Sequence, residues 1–370
     1  MDGLRPETDM EIHRSELEVR LTDRRRQILR EVISSYVRNV HPVSSSLISR
    51  SVQASSATIR NELAALEEMG FLMQPHTSGG RIPTDLAYRF LVEELLSDLS
   101  ATLDDRGRVA DVYSQLSTET ETLLEGTLDL LTEMTGYVAW VSLPRPNNLE
   151  IRSLNFVEAG DQEILAVLVT ANGVMQSRRI NVPLATSSLN LARLSETLTN
   201  YLRHRSIIEV DYAEMHRIFL ETVNLPEGLF QAVSQFIDSM SFSGERVMFS
   251  NALRLVVQPE FATSENLNSV VSVLQDRERF IRNLRSRLNS RSVQTIIGRE
   301  NSDPDLHQVS LVLSRYEVPN AGEGTLGVIG PTRLFYERTL PWIKLIGESI
   351  AHALEDSGAG PQAWRTDERH

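Results

Sequence analysis

The chain has 370 residues, 41% of them hydrophobic, and a formal net charge of −13, which allows two or three globular domains at roughly 150 residues each and excludes a surface that coats nucleic acid throughout. It contains no cysteine, so disulfides, thiolate metal sites and thiol nucleophiles are excluded. No run approaches the roughly 18 apolar residues of a membrane span, and MDGLRPETDMEIHR lacks the apolar segment of a signal peptide, so a cytoplasmic protein with no membrane partner is expected.

Residues 1–20 are polar and unpatterned and read as a flexible arm. LTDRRRQILREVISSYVRN (21–39) follows, with Thr22 as a cap and Leu21, Ile28, Leu29, Val32, Ile33 and Tyr36 at helical spacing. SSSLISRSV makes a second, short helix with Leu47 and Ile48 expected inward. The third, SSATIRNELAALEEMG (55–70), aligns Ile59, Leu63 and Leu66 on one stripe. Ser55 or Ser56 caps its start and Gly70 closes its end. This helix is polarised: hydroxyls, Arg60 and Asn61 stand at the positive end of its dipole, while Glu62, Glu67 and Glu68 collect toward the other. FLMQPHTSGGRIPT (71–84) then reads as strand, glycine loop and return strand. Helix-turn-helix plus hairpin is a winged helix, expected over 21–100. Local charge supports it, since nine arginines between Leu21 and Phe90 face six acids, a balance of +3 in an acidic chain. Lys344 is the single lysine, so positive charge is carried by guanidinium groups, which suit bidentate contacts to phosphate and guanine and which genomic codon bias alone would also produce.

From about 108 to 136 the pattern is helical, and TGYVAWVSL brings strand character. SLNFVEAGDQEILAVLVTANGVMQSRRINVP (153–183) reads as strands, with the continuous apolar run ILAVLVT at the centre of a sheet. Residues 187–290 turn helical, strands return over 293–332, and a last helix closes the fold before a polar tail. Strands on both sides of a helical block predict one α+β domain interrupted by an insertion.

LTDRRRQIL (21–29), SSATIRNELAALEEMGFL (55–72), QPHTSGGRIPTDLAYRF (74–90), LTEMTGY (131–137), ILAVLVT (164–170), QPEF (258–261), IGREN (297–301) and GTLGVIGPTRLFYERT (324–339) together resemble the heat-inducible transcription repressor family usually called HrcA. The resemblance runs from Leu21 to Asp356. It implies an α+β multidomain protein: an N-terminal winged helix-turn-helix and a GAF-like α+β domain interrupted by a helical dimerisation insertion. The expected layout is arm 1–20, winged helix 21–100, GAF-like first part 101–200, insertion 201–290, GAF-like second part 291–357 and tail 358–370. The resemblance further implies a homodimer that represses chaperone genes from an inverted-repeat operator in double-stranded DNA, with activity dependent on heat and chaperonin.

A recognition helix reads base edges with its first turns. Arg60 suits guanine, Asn61 adenine, and the small Ala57 a thymine methyl; Ser55, Ser56 and Thr58 at the helix N-terminus suit phosphate. A helix that touched no DNA would use the same Ser56 as a cap and Arg60 as a surface charge. Arg81, next to the wing glycines, fits a narrow minor groove. His76 and Thr77 are assigned either to phosphate or to stabilising the turn. Arg24 and Arg25, with Arg26, stand at a positive helix end, where they either meet phosphate or form a solvated face. Enzymatic readings fail. GTLGVIGPT lacks the lysine and hydroxyl of a phosphate-binding loop, and the histidines at 13, 41, 76, 204, 216, 307, 352 and 370 have no ligand spacing. No cofactor, no metal and no catalytic activity are expected. Two other readings remain at this point: a small-molecule effector in the GAF-like domain, and a winged helix serving as a protein-interaction module.

Overall fold

A computed structural model describes residues 21–75, 80–97, 99–116, 118–144, 150–171, 173, 175–182, 190–207, 210–222, 227–242, 246–288, 291–319 and 321–357. The arm 1–20, His76, Thr77 and the tail 358–370 lie outside the described residues. The chain divides into two units. Of the described residues, the first takes 21–141, Met248–Tyr316 and 325–357; the second takes Ser142–Val247 and Glu317–Gly324.

The first unit opens with α1 (Asp23–Asn39), whose N-cap Thr22 accepts from Arg25 N at 3.4 Å and whose Ile28, Leu29, Val32, Ile33 and Val37 are buried. α2 (Ser45–Ser51) buries Ile48 alone. Leu47, expected inward, is 45% exposed: it sits about 100° round the helix from Ile48, and a helix of seven residues turns too narrow a stripe to the core to bury both. α3 (Ser56–Glu68) buries Ile59, Leu63 and Leu66 as its spacing predicts. Gly70 ends it at φ +82, a left-handed conformation that an L side chain resists. β1 (Leu72–Met73) and β2 (Ile82–Pro83) pair antiparallel, Leu72 opposite Pro83, and Arg81 bridges to Val43 through both backbone hydrogen bonds, 2.8 and 2.9 Å. α4 (Asp85–Leu96) leads out, burying Ala87, Tyr88, Leu91 and Val92. These elements make a winged helix.

α5 (Leu103–Gln115) and α6 (Thr120–Thr135) follow, α5 closed at its start by a Thr102–Asp105 capping box. β3 (Val138–Ser142) enters a five-stranded sheet in the order β7–β3–β10–β9–β8, formed with β7 (Val247–Phe249), β8 (Val293–Ile297), β9 (Val309–Val318) and β10 (Gly322–Pro331). β3 pairs antiparallel with β10, and β8 with β9. β3 and β8 are buried at every position, the mark of strands covered on both faces. α12 (Tyr336–Asp356) packs so closely that the Gly347 backbone meets Ser314. α11 (Arg277–Arg285), which follows α10 (Ser264–Gln275), puts Phe280 edge-on to Trp140 at 5.3 Å and to Phe249 at 5.0 Å. Strands from both sides of the central block thus share one sheet.

The second unit is a three-stranded antiparallel sheet, β4 (Ile151–Gly160), β5 (Glu163–Thr170) and β6 (Met175–Asn181), with α7 (Leu191–Leu202), α8 (Tyr212–Thr222) and α9 (Glu227–Phe242). Leu154, Phe156, Ile164, Ala166, Leu168 and Ile180 form a core with Leu194, Leu198, Phe219, Val233 and Phe236. The sequence reading put ILAVLVT in an antiparallel hairpin at the centre of a sheet, which it is, but within the GAF-like first part 101–200, and opened the insertion at 201. In the structure β5 is central to a separate sheet, and the second unit opens at Ser142. The run misleads because both faces of β5 are apolar although only alternate residues, Ile164, Ala166 and Leu168, are buried in the core; Leu165, Val167 and Val169 are half-buried on the other face.

Candidate nucleic-acid interface

α3 is held by its back and left open at its front. Ser55, just ahead of the first turn, is the N-cap and accepts from Thr58 N at 3.1 Å, with the two hydroxyls 2.8 Å apart. One hydroxyl proton is spent in that contact, so the pair retains one donor, and Ser56 Oγ lies 3.2 Å from Ser45 Oγ of α2, which fixes the angle between the two helices. Ala57, Arg60 and Asn61 are exposed, on the side away from Ile59, Leu63 and Leu66. Among the described residues no carboxylate pairs with Arg60 or with Arg24, which is also exposed. The backbone N–H groups of the first turn and the positive helix end therefore share one surface with a free guanidinium, a carboxamide and hydroxyl donors. An anion fits there, and base edges fit the side chains beyond it.

The acids at the back have a different task. Glu62 accepts from Arg25 Nε of α1 at 2.8 Å, and Glu67 accepts from Arg81 Nε at the wing root at 2.7 Å. Arg26 and Arg30 pair with Glu94 of α4. Of the residues expected to meet DNA, the structure thus brings Ala57, Arg60 and Asn61 together on the open face, with Ser55, Ser56 and Thr58 at its N-terminal edge. Arg25 and Arg81 are engaged with carboxylates, and His76 and Thr77 are outside the described residues. Glu62, Glu67 and Ser45 escaped the sequence reading as site residues. Their partners lie 37, 14 and 11 residues away, beyond the reach of any helical periodicity.

The wing root is equally constrained. Thr84 Oγ1 donates to Gly70 O at 2.7 Å and Phe71 O at 3.0 Å, and Gly80 lies against the Val43 backbone so closely that a Cβ would collide with it. Among the described residues no group of histidines and acids is placed to hold a metal ion, and no helix is long and apolar enough to cross a membrane.

Comparison with known proteins agrees with this geometry. Residues 20–96 match the family model of the winged helix-turn-helix transcription repressor, HrcA DNA-binding, and residues 121–340 match that of the HrcA protein C terminal domain. The heat-inducible transcription repressor HrcA of Geobacter sulfurreducens is 31% identical over 337 residues, covering 90% of this chain and 98% of its own. Its counterpart in Halalkalibacterium halodurans is 27% identical over 344 residues, covering 91% and 98%. A crystal structure of a hypothetical protein shares the fold, with a TM-score of 0.57 at 23% identity over 91% of this chain and all of the other. The chain belongs to the HrcA family of heat-inducible transcription repressors.

Proposed function

We propose that the protein represses chaperone genes by binding an inverted-repeat operator in double-stranded DNA as a cytoplasmic homodimer, each protomer laying the front of α3 in a major groove. The observation that carries this reading is the polarity of α3: Glu62 and Glu67 are occupied behind it, and Ala57, Arg60 and Asn61 stand open ahead of it. Arg60 reads guanine, Asn61 adenine and Ala57 a thymine methyl, while Ser55, Ser56, Thr58 and Arg24 bind phosphate. Arg25 and Arg81 brace the helix from α1 and from the wing.

The five-stranded sheet with its helices is the GAF-like domain, and the second unit is the dimerisation insertion. The outer face of the three-stranded sheet supports that role. Leu165, Val167 and Val169 form an apolar strip along β5, extended by Val157, 54% exposed, and Met175, 68% exposed, with Ser153, Asn155, Ser177 and Arg179 beside it, a mixed face of the kind that a second copy would cover. Heat lowers the population of folded dimer and chaperonin restores it, in keeping with the marginal stability of such domains.

The test is fluorescence anisotropy on an inverted repeat taken from upstream of the organism's chaperonin genes, against a scrambled duplex. Preference for the repeat by roughly a thousandfold, with Arg60→Ala losing about 1–3 kcal/mol of it, is the expected result. Equal binding to both duplexes, before and after adding chaperonin, would rule the reading out.

A further inference from the structure

α1 and α4, the first and last helices of the winged helix, are tied to the sheet region of the same unit by arginines that run in opposite directions. From α4, Arg89 donates through Nε to Glu300 Oε1 at 2.7 Å and through Nη1 and Nη2 to the Thr295 hydroxyl and carbonyl at 2.9 Å each; Nη2 also meets Glu300 Oε2. Glu300 is itself fixed, accepting from Ile297 N at 2.8 Å. From the loop after β10, the largely buried Arg333 donates through Nε to Glu260 Oε1 at 2.5 Å and through Nη2 to Gln258 Oε1 at 3.0 Å. Its Nη1 reaches Val37 O at 3.4 Å, one of the last four carbonyls of α1, which no helical N–H can satisfy. A third tie is steric: Asp85, at the start of α4, accepts from Arg299 N at 3.1 Å and sits so close over Gly298, at φ +51, that a Cβ there would collide with its carboxylate.

Cohesion alone does not call for this chemistry. Apolar residues of similar volume commonly hold two surfaces together as well as a desolvated ion pair does. What a planar guanidinium fork adds is direction, because its donors accept partners only along fixed lines. The Arg89 fork and the close-fitting glycine, one turn apart on α4, together with the Arg333 contact at the end of α1, which Glu260 and Gln258 hold in place, define an angle.

We propose that Arg89 and Arg333 are positioning residues for operator recognition: they fix the orientation of the winged helix on the sheet and so make the repressor selective for the spacing between the half-sites of its operator. This rests on the reading of the protein as a dimer on an inverted repeat. Each base pair added between half-sites moves them apart by about 3.4 Å and turns one against the other by about 35°, a change that a rigid joint cannot follow and a loose one can.

The experiment measures binding of the full-length protein to three sets of duplexes: the operator, operators with one to three base pairs added or removed between the half-sites, and a single half-site. Wild-type protein is expected to weaken by about tenfold or more for a spacing change of two base pairs, because one protomer then no longer reaches its half-site. Arg89→Lys, and independently Glu300→Gln and Glu260→Gln, are expected to flatten that dependence to about two- to threefold, to weaken binding to the native spacing, and to leave half-site binding unchanged. The two Gln variants keep side-chain shape, so at least one folded variant is secured, checked by a cooperative thermal melt. Folded variants that keep the wild-type spacing dependence would overturn the proposal. So would variants that lose half-site and full-operator binding in the same proportion, since that marks a purely structural role. Wild-type protein that binds the repeat no better than a half-site would instead overturn the dimer reading, and this proposal with it.

Discussion

At the residue scale, the arginines of the winged helix differ in what they face. Arg24 and Arg60 point into solvent with no carboxylate on them among the described residues, whereas Arg25 and Arg81 each hold a glutamate of α3. The two groups answer differently to salt, because each phosphate neutralised releases condensed counterions. Arg24→Ala is expected to reduce the salt slope of operator binding by about 2, one phosphate contact from each protomer, while Arg81→Ala lowers affinity at every salt concentration and leaves the slope unchanged. A binding titration across a salt series separates them; an Arg81→Ala slope lowered as much as that of Arg24→Ala would put Arg81 on the DNA. Tyr88 offers a second test. Its hydroxyl is buried with no hydrogen-bond partner among the described residues, and burial raises its pKa well above the ordinary tyrosine value. Tyr88→Phe removes an unsatisfied polar atom while keeping the ring that packs 6.0 Å from Tyr336, so a denaturant melt at neutral pH should show a gain of about 1 kcal/mol.

At the scale of elements, the outer face of the three-stranded sheet gives the sharpest prediction. Val167→Arg sets a charge in the middle of the apolar strip of that face without touching the inner core residues Ala166 and Leu168. Sedimentation should show a monomer with an intact far-ultraviolet spectrum; a dimer of wild-type stability would place the interface elsewhere. The same strand shows what the amino-acid order can carry. Local, periodic features were legible: the stripe Ile59–Leu63–Leu66, the Ser55 cap, the Gly70 stop and the hairpin wing were read in advance and are present. The exposure of Ala57, Arg60 and Asn61 was legible too, since the stripe leaves them facing away from the core. Which sheet a strand joins was not. ILAVLVT looks buried on both sides because its second face is apolar, and no local pattern says whether that face meets its own chain or another. The ion pairs Arg25–Glu62, Arg81–Glu67 and Arg89–Glu300 were equally hidden, because each depends on how distant segments are brought together.

At the scale of the whole molecule, charge and tyrosine burial set the working range. A chain of net charge −13 that carries +3 between Leu21 and Phe90 is strongly polarised along its length. DNA is attracted to one end and repelled by the rest, which favours approach with the winged helix leading. Tyr88, Tyr113, Tyr137 and Tyr336 all have pKa values raised by burial. A folded-state pKa above the unfolded one means that the folded protein holds its proton more tightly, so this contribution to stability is complete below the ordinary tyrosine pKa of about 10 and is lost as pH rises beyond it. Urea melts should therefore be insensitive to these groups from pH 7 to about 9 and should weaken steeply above about 10, less so in Tyr88→Phe.

The fit of Gly298 beneath Asp85 has a consequence for genetics. Any side chain at 298 would act as a wedge between α4 and the sheet while leaving in place every residue proposed to read bases. A selection for cells that express the repressed genes without heat should thus return two classes of allele. One falls in the first turns of α3 and abolishes recognition outright. The other gathers at Gly298, Glu300 and Arg333, far downstream in the chain, and yields repressors that still recognise half of their operator.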